Sequence, residues 1–319
     1  MRRSICAVAA PSLLAVAIAS TSASAIAKAH RSADPGARGP HVGSCPVFPA
    51  SNALNEDISK APVDPNSTAY VDSIGASVDL HADFGTNPSY GIPYTVVKRA
   101  QPKVPIKFTE YGDESEPGPY PIPPNAPVEG AGEEGDRHVL VVQEGSCKLY
   151  ELYSAQRAGS GWEAGSGAVF DLRSNALRPE GWTSADAAGL PIFPLLARYP
   201  EVHAGQIDHA LRVTVPRTQA GYIHPATHLA SSSTDASLPP MGLRLRLKAS
   251  FSLASYHGQA LVILRALKRY GLIVADNGSP WYITGAPDSH WNDEDLDQLK
   301  SVPGSAFEAV ASGSILHKR

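Results

Sequence analysis

The sequence predicts a mainly β protein with a minority of helix, in which an antiparallel β-sandwich or jelly-roll-like body carries a few helices at its edges. Short runs of β-branched, aromatic and leucine residues recur from residue 137 onward, separated by Gly, Asn, Asp or Pro. Only a few segments have the periodicity of a helix. Strands that outnumber helices and follow one another at short spacing are typical of sandwich and jelly-roll folds.

Residues 1–25 have the organisation of a secretory signal peptide. Arg2 and Arg3 begin it, an apolar run extends from about Ile5 to Ala19, and Ala23-Ser24-Ala25 provides the small residues that precede cleavage. The apolar run is shorter than the roughly 20 residues of a membrane-spanning helix, which disfavours the alternative of a membrane anchor. We therefore expect a secreted or periplasmic protein whose mature N-terminus is Ile26.

Two cysteines remain after cleavage and predict a disulfide. Cys6 leaves with the signal, and Cys45 and Cys147 then form an even pair in an oxidising compartment. Their bond would close a loop of about 100 residues and stabilise the fold by on the order of 4 kcal/mol in the chain-entropy model. The alternative is a pair of buried free thiols. The composition of residues 26–44 predicts a disordered lead-in. Residues 45–312 are predicted to form a single globular domain.

A Pro- and Gly-rich stretch with many acidic residues covers residues 99–135, including the run from Glu116 to Pro124. This density of proline predicts an irregular excursion without a ladder strand. Loops of this length are usually functional lids or rims, or else linkers.

Further strands and helices follow from periodicity and turn signals. Strands are predicted at residues 138–143, 148–154, 168–172, 209–215, 243–248, 272–276 and 281–284. Helices are predicted at residues 183–199, 259–270 and 293–300. Glu144-Gly145-Ser146 predicts a hairpin between the first two strands, and Asn277-Gly278 predicts a turn between the last two.

The charge of the chain excludes a general nucleic-acid binder. The intact chain has 27 Lys and Arg against 31 Asp and Glu, a net charge of −4, and loss of Arg2 and Arg3 makes it about −6. Nucleic-acid binding would require a strong basic excess. No segment after residue 25 is long and apolar enough to predict a transmembrane anchor. We expect a monomer without a cofactor, with a polysaccharide or glycan as its ligand.

Five segments resemble a group of exported bacterial proteins. They are Cys45–Pro49, Gly118–Pro124, Asp171–Pro179, Ile207–Arg212 and Ala275–Ser279. The resemblance covers most of the chain from residue 45 onward and implies export and a shared single domain. It implies no particular activity, so the chemistry has to be inferred from the residues themselves.

Three aspartates at strand ends are the candidates for catalysis. Asp171 follows one predicted strand, Asp208 precedes another, and Asp276 ends a third at a turn. Strand ends collect at the rims of a sandwich, where loops hold functional groups on a rigid frame, so we expect at least two of the three to share one cleft. His209 is a candidate acid/base partner of Asp208. The structural alternatives are a core histidine bonded to a backbone carbonyl and aspartates that brace loops or turns.

Candidate substrate-binding residues lie close to these acids in sequence. Arg173 follows Asp171, while Asn277, Trp281 and Tyr282 follow Asp276 and combine an amide with two aromatic rings, as sugar-binding clefts do. The alternatives are an arginine that braces a loop and a plain hairpin turn with core aromatics.

A second group of candidate binding residues is basic. Arg212, Arg244, Arg246 and Lys248 are predicted on the polar faces of their strands. If these strands are neighbours, the side chains form a basic stripe on a solvent-exposed sheet face that could hold an acidic polysaccharide. The alternative is a solvated face balanced by nearby acids.

Metal binding has one weak candidate, so no metal is predicted. His224 and His228 have the i, i+4 spacing of helical zinc sites, but Pro225 follows His224 where a Glu would be expected. A third ligand would have to come from His203, His209 or Asp235. The sequence also lacks the motifs G-x-S-x-G, G-x-x-x-x-G-K-[ST] and C-x-x-C. Their absence disfavours a serine hydrolase and an NTPase.

Together these patterns predict an exported carbohydrate-active hydrolase that uses paired carboxylates on a polysaccharide. One alternative is a lyase on an acidic polysaccharide, which would use the basic stripe to neutralise the substrate. The other is a non-catalytic glycan-binding or cell-surface protein. Two carboxylates that converge in an open cleft favour hydrolysis, whereas scattered acids beside an aromatic patch favour binding.

Overall fold

Short strands outnumber helices in the computed structural model, which describes residues 39–132 and 135–318. The strands are β1 (His41–Val42), β2 (Cys45–Pro46), β3 (His81–Asp83), β4 (Tyr94–Val97), β5 (Ile106–Phe108), β6 (Val139–Gln143), β7 (Lys148–Tyr153), β8 (Gln156–Ala158), β9 (Gly161–Ala164), β10 (Ser166–Asp171), β11 (Leu211–Val215), β12 (Arg244–Leu247), β13 (Leu272–Asn277), β14 (Tyr282–Thr284) and β15 (Phe307–Ala309). The α-helices are α1 (Ser67–Ile74), α2 (Tyr199–His203), α3 (Gly258–Arg269) and α4 (Asp293–Asp297). Strands hold 25% of the residues and helices 18%, which confirms the mainly β class.

The N-terminal predictions fall largely on residues that the structure does not describe. The predicted signal peptide, residues 1–25, lies outside the described residues, as does the lead-in up to residue 38. The described chain starts just before β1, which pairs with β2. All described residues belong to one compact unit. Within them, no helix is long and apolar enough to cross a membrane.

The largest sheet has six strands in the order β15-β12-β13-β11-β14-β3. β11 is parallel to β13 and β14 is parallel to β3, while the other neighbours are antiparallel. The prediction of an antiparallel body is therefore wrong for these two strand pairs. β11 and β13 point the same way because β12 and α3 lie between them in the chain and return it to the same end of the sheet. The sandwich or jelly-roll arrangement stays a prediction.

Strand order also corrects the predicted turn at Asn277-Gly278. β13 and β14 are consecutive in sequence, but β11 lies between them and pairs with both. The dipeptide therefore begins a connection that passes over the end of β11, where Thr214 donates its hydroxyl to the carbonyl of Ser279.

A second sheet has four strands in the order β10-β7-β6-β4. The predicted hairpin is confirmed, since β6 and β7 pair from Val139–Leu152 to Gln143–Lys148 around the turn at residues 144–147. Both faces of β6 are covered: Leu140 and Val142 pack into the main core, while Val139 and Val141 pack into a smaller one. This explains why the strand is apolar at consecutive positions rather than alternating.

The smaller core lies under the Pro/Gly-rich excursion, residues 99–135. Tyr120 and Ile122 of the excursion are buried there against β6. The excursion also contains β5, which pairs with β9 in a three-stranded sheet, β5-β9-β8. The prediction that this stretch has no ladder strand is therefore wrong, because Ile106-Lys107-Phe108 is free of proline and can pair.

Local signals predict two of the helices well. α3 matches the predicted 259–270, and buries Ile263, Leu264 and Leu267 along one face. α4 begins at the expected cap, where Asn292 accepts hydrogen bonds from the backbone of Glu294 and Asp295.

The prediction of a long helix at residues 183–199 is wrong. Residues 183–192 form turns and bends, followed by a short 3₁₀-helix (Phe193–Leu195) and α2. Prolines within this stretch interrupt helical hydrogen bonding.

The predicted disulfide is confirmed. Cys45 and Cys147 are bonded, with their Cα atoms 5.4 Å apart and a separation of 102 positions in sequence. The bond ties β2 to the turn that precedes β7. Arg173 braces this turn by donating to the Gly145 carbonyl at 3.0 Å and approaching the Cys147 Sγ at 3.1 Å.

Candidate functional site

A polar cleft, called here the Asp276 cleft, opens where the two large sheets approach each other at one end. Tyr153 at the end of β7 pairs with Ser166 at the start of β10, and Asp276 and Asn277 end β13. The cleft has a volume of about 350 Å³, within the range of small-ligand sites. Its lining consists of Tyr111, Asp136, Tyr153, Ser166, Thr183, Ser184, Ala185, Asp186, Ala187, His228, Ala230, Asp276 and Asn277.

A buried ion pair forms the floor of this cleft. Arg212 alternates with Leu211 and Val213 on β11, so its side chain leaves the apolar face and meets Asp186. Two guanidinium nitrogens donate to the two Asp186 carboxylate oxygens at 2.9 and 2.7 Å, and the third donates to the Thr284 hydroxyl at 2.7 Å. Such a bidentate pair fixes both side chains in position.

The segment that holds Asp186 is shaped by its own side chains. The Ser184 hydroxyl accepts from the Asp186 backbone N–H at 2.9 Å and donates to the Leu190 carbonyl at 2.6 Å. These bonds make a compact turn in place of a helix. The turn directs the Asp186 carboxylate toward Arg212.

Asp276 lies next to this pair and is open to the cleft. Its Oδ2 is 3.8 Å from the Arg212 Nη2, and its side chain is 27% exposed. Partial burial, together with the charges of Asp186 and Asp136, raises the pKa of Asp276 to about 7, although Arg212 opposes the shift. At neutral pH this carboxyl can therefore donate or accept a proton.

A second charged pair supports the wall of the cleft. His138 is 2% exposed, its Nδ1 lies 2.6 Å from Glu129 Oε2, and its Nε2 lies 2.9 Å from the carbonyl of Ala185. Both partners can only accept, so both ring nitrogens carry protons. Burial alone would lower the pKa of His138, but the Glu129 carboxylate outweighs burial and raises it to about 9. The imidazolium therefore anchors the residue that precedes Asp186.

Glu151 of β7 is fully buried behind the same wall. Its carboxylate accepts backbone N–H bonds from Ile192 at 3.0 Å and Phe193 at 2.8 Å. Burial raises the pKa of Glu151 to about 7, although these two N–H groups oppose the shift. The side chain holds the start of the 3₁₀-helix in place and is not open to the cleft.

His228 is the histidine that lines the cleft. Its Nδ1 donates to the Ala187 carbonyl at 2.7 Å. A carbonyl can only accept, so the proton is held on Nδ1, and a neutral ring has its lone pair on Nε2.

The three aspartates predicted as a catalytic group do not converge. Asp208 precedes β11 and accepts from the Tyr270 hydroxyl, next to the start of β13, whereas Asp276 is at the far end of that parallel strand. Asp171 ends β10, whereas Ser166 at its other end lines the Asp276 cleft. Each is therefore about five residues of strand, on the order of 16 Å, from the cleft. Asp171 instead contacts Lys148 at 3.0 Å.

His209 and Arg173 have structural contacts. His209 is fully buried, its Nδ1 lies 2.8 Å from the Ala210 carbonyl, and its Nε2 lies 3.2 Å from both Glu201 and Arg198. His209 contacts Glu201 and Arg198, whereas Asp208 contacts Tyr270, so His209 and Asp208 do not form an acid/base pair. Arg173 braces the disulfide-bonded turn.

The predicted exposed basic stripe is wrong, because its arginines are buried. Arg212 is paired with Asp186, while Arg244 donates to the carbonyls of Ala53 and Tyr270 at 2.8 and 2.6 Å. Arg246 contacts Glu308 at 2.9 Å and donates to backbone carbonyls of residues 58 and 61. Alternation correctly placed these side chains on one face, but residues 53–61 cover Arg244 and Arg246, and the turn with Asp186 covers Arg212.

The residues that follow Asp276 differ in their accessibility. Trp281 is fully buried and donates its indole N–H to the Gly75 carbonyl at 2.8 Å, so its ring is not available to a ligand. Tyr282 is partly exposed and stacks on His81. Asn277 is exposed and lines the cleft beside Asp276.

The histidines considered for zinc have separate partners. His224 contacts Glu180 at 2.7 Å, whereas His228 donates to a backbone carbonyl. Residues 221–228 are not helical, so the i, i+4 spacing does not bring the rings together. Among the residues that the structure describes, no group of three His, Cys, Asp or Glu is placed to hold a metal ion.

Sequence reasoning missed Asp136, Asp186 and His138. Asp186 belongs to the start of a predicted helix and His138 begins a predicted strand, while no role is predicted for Asp136. A signal was available in the Thr183-Ser184-Ala185-Asp186 run, because prolines follow at 191 and 194 and disfavour a helix. The partners of these residues are remote in sequence and could not be inferred from it.

No protein-family model, curated protein or solved structure matches the chain. The resemblance to exported bacterial proteins stays a prediction, and the site is interpreted from its own geometry.

Proposed function

We propose that the protein is an exported carbohydrate-active hydrolase and that the Asp276 cleft is its active site. The observation that supports this is a partly exposed carboxyl with a pKa near 7, beside a second carboxyl in the same polar cleft. Glycoside hydrolysis needs one carboxyl group that is protonated at the working pH and another that is not. The disulfide is consistent with an oxidising compartment.

In this proposal Asp276 is the general acid. Its proton passes to the glycosidic oxygen as the bond to the anomeric carbon breaks. Asp136, which is exposed on the cleft, is the second carboxyl and either takes a proton from the attacking water or attacks the anomeric carbon itself. The anomeric configuration of the product separates these two routes. Asp186 is excluded as the acid because Arg212 holds both of its oxygens.

The experiment compares the wild type with Asp276→Asn and Asp136→Asn on a panel of polysaccharides and aryl glycosides. We expect each change to lower kcat by about 10²–10⁴-fold, because it removes a proton-transferring group. Asp171→Asn is the matched control, since this acid is also partly exposed but lies at the far end of β10. It should leave turnover unchanged. Equal loss in all three variants, or wild-type turnover in Asp276→Asn, would contradict the proposal.

The pH profile provides a second test of the same assignment. Since Asp276 acts in its protonated form, activity should fall as pH rises through about 7. An activity that rises across this range instead would assign Asp276 the role of base.

A non-catalytic glycan-binding protein is the second candidate, and the partly exposed stack of Tyr282 on His81 favours it. Binding of a polysaccharide by the wild type without reducing-sugar release would identify this function. The lyase alternative has lost its support, because the arginines of the expected basic stripe are buried.

A further inference from the structure

An exposed row of side chains crosses four neighbouring strands of the six-stranded sheet and leads away from Asp276. Thr214 on β11 is opposite Asp276 on one side and Tyr282 on the other, and Tyr282 is opposite His81. Residues directly opposite each other share a face of the sheet. All four are partly exposed, whereas Val213, next to Thr214, is fully buried.

The spacing of the strands determines the length of this exposed row. Neighbouring strands are about 4.8 Å apart, so Tyr282 is about 10 Å and His81 about 14 Å from Asp276 along the row. A second cavity, of about 600 Å³, opens at this end and is lined by His81 and Tyr282. The second cavity therefore lies on the same face of the sheet as Asp276, and the contact between Thr214 and Ser279 lies between them.

The far end of the row provides an aromatic surface. The rings of His81 and Tyr282 are stacked, with centroids 4.1 Å apart and planes inclined by 22°. Burial and the nearby Lys300 lower the pKa of His81, so its ring is neutral at pH 7. A neutral aromatic surface flanked by polar groups is the arrangement on which the apolar face of a sugar ring packs.

The charges along the row select against an anionic polymer. Asp136 lines the cleft at one end, and Asp83, Asp293, Asp297 and Lys300 line the cavity at the other. Lys300 contacts Asp297 at 2.6 Å, so Asp83 and Asp293 are the acidic groups in excess in this cavity. A polymer of uronic acids would meet like charges at both ends.

We propose that Tyr282 and His81 form a sugar-stacking subsite for an uncharged polysaccharide chain, on the same face of the sheet as Asp276 and remote from the reacting bond. The inference rests on the proposed function only for the direction of the chain past Asp276. The subsite itself is testable by binding alone.

The test measures binding to the full-length Asp276→Asn protein, in which turnover is removed. Affinity electrophoresis and calorimetry use mixed-linkage glucan, xylan and galactomannan as uncharged probes and polygalacturonate as the anionic probe. We expect at least one uncharged polymer to bind and polygalacturonate not to. Adding Tyr282→Ala should weaken binding of the polymer by about tenfold, whereas a disaccharide that fits the Asp276 cleft should be unaffected.

Two controls separate loss of the subsite from loss of the fold. Tyr282→Phe keeps the ring and should bind like the parent. Tyr256→Ala removes a tyrosine of similar exposure that contacts Phe251 and lines neither cavity, and it should also bind normally. Equal binding by Tyr282→Ala and the parent, or tighter binding of polygalacturonate than of every uncharged polymer, would overturn the inference. Turnover of short aryl glycosides in the wild type would then leave the proposed function standing.

Discussion

The stability of the fold should depend on the charge of His138. This side chain is buried between Glu129 and the Ala185 carbonyl, and its pKa rises from 6.5 to about 9 on folding. A group whose pKa is raised in the folded state contributes its full stability below the unfolded pKa and loses it as pH rises through the folded pKa. The shift corresponds to about 3 kcal/mol, at 1.36 kcal/mol per pKa unit. A typical domain has only about 5–15 kcal/mol in total.

The assay is urea denaturation from pH 6.5 to 9, the two pKa values of His138. The stability that the wild type has in excess of His138→Gln should fall by about 3 kcal/mol over this range, with a slope of at most about 1.4 kcal/mol per pH unit for one proton. His138→Gln cannot take up the proton. Its stability should be lower at pH 6.5 and should approach that of the wild type at pH 9.

Other groups contribute little to the upper half of this range. Asp276 and Glu151 have raised pKa values near 7, so they reduce the stability of wild type and His138→Gln alike as pH rises through 7, and their effect becomes constant about one unit above it. His290→Gln is the matched control, because this side chain is 69% exposed and contacts Asp288. Its pH dependence should equal that of the wild type. If His138→Gln loses as much stability with pH as the wild type does, the assignment of a buried imidazolium is wrong.

Three further predictions concern the groups that hold the cleft. Reduction of the Cys45–Cys147 bond should lower the free energy of unfolding by about 4 kcal/mol in denaturation with and without reductant, given the 102-residue loop; an unchanged midpoint would contradict this. Asp186→Asn leaves Arg212 without its partner and should cost about 3–5 kcal/mol. It should also move the decline in activity to lower pH, because a like charge near Asp276 is gone. Glu151→Leu should cost about 1–3 kcal/mol per unsatisfied N–H group, whereas the solvent-exposed change Glu163→Leu should stay within about 0.5 kcal/mol.

Short-range sequence patterns predicted the elements whose hydrogen bonds join residues that are close in sequence. The β6–β7 hairpin follows from its turn and from the strand signals on either side, and α3 follows from its apolar spacing. The disulfide followed from compartment and count alone. In each case the partners lie close in sequence or the choice of partner is unique.

The candidate site could not be predicted because it depends on strand direction and on remote partners. Asp208 and Asp276 would have met if β11 and β13 were antiparallel, but the two strands are parallel and their carboxylates lie at opposite ends. Alternation placed Arg246 on the correct face of β12, yet it could not show that residues 58 and 61 cover it. A period of two identifies a face and not what packs against that face.

The two edges of the six-stranded sheet come from opposite parts of the chain. β3 lies at residues 81–83 and β15 at residues 307–309, and every other strand of the sheet is paired between them. During synthesis one side of β12 has no paired strand until β15, which ends at residue 309, has left the ribosome. Contacts this remote in sequence form slowly. The nascent chain therefore emerges with its largest sheet unfinished, and the edge of β12 stays open to association with other strands until β15 pairs with it.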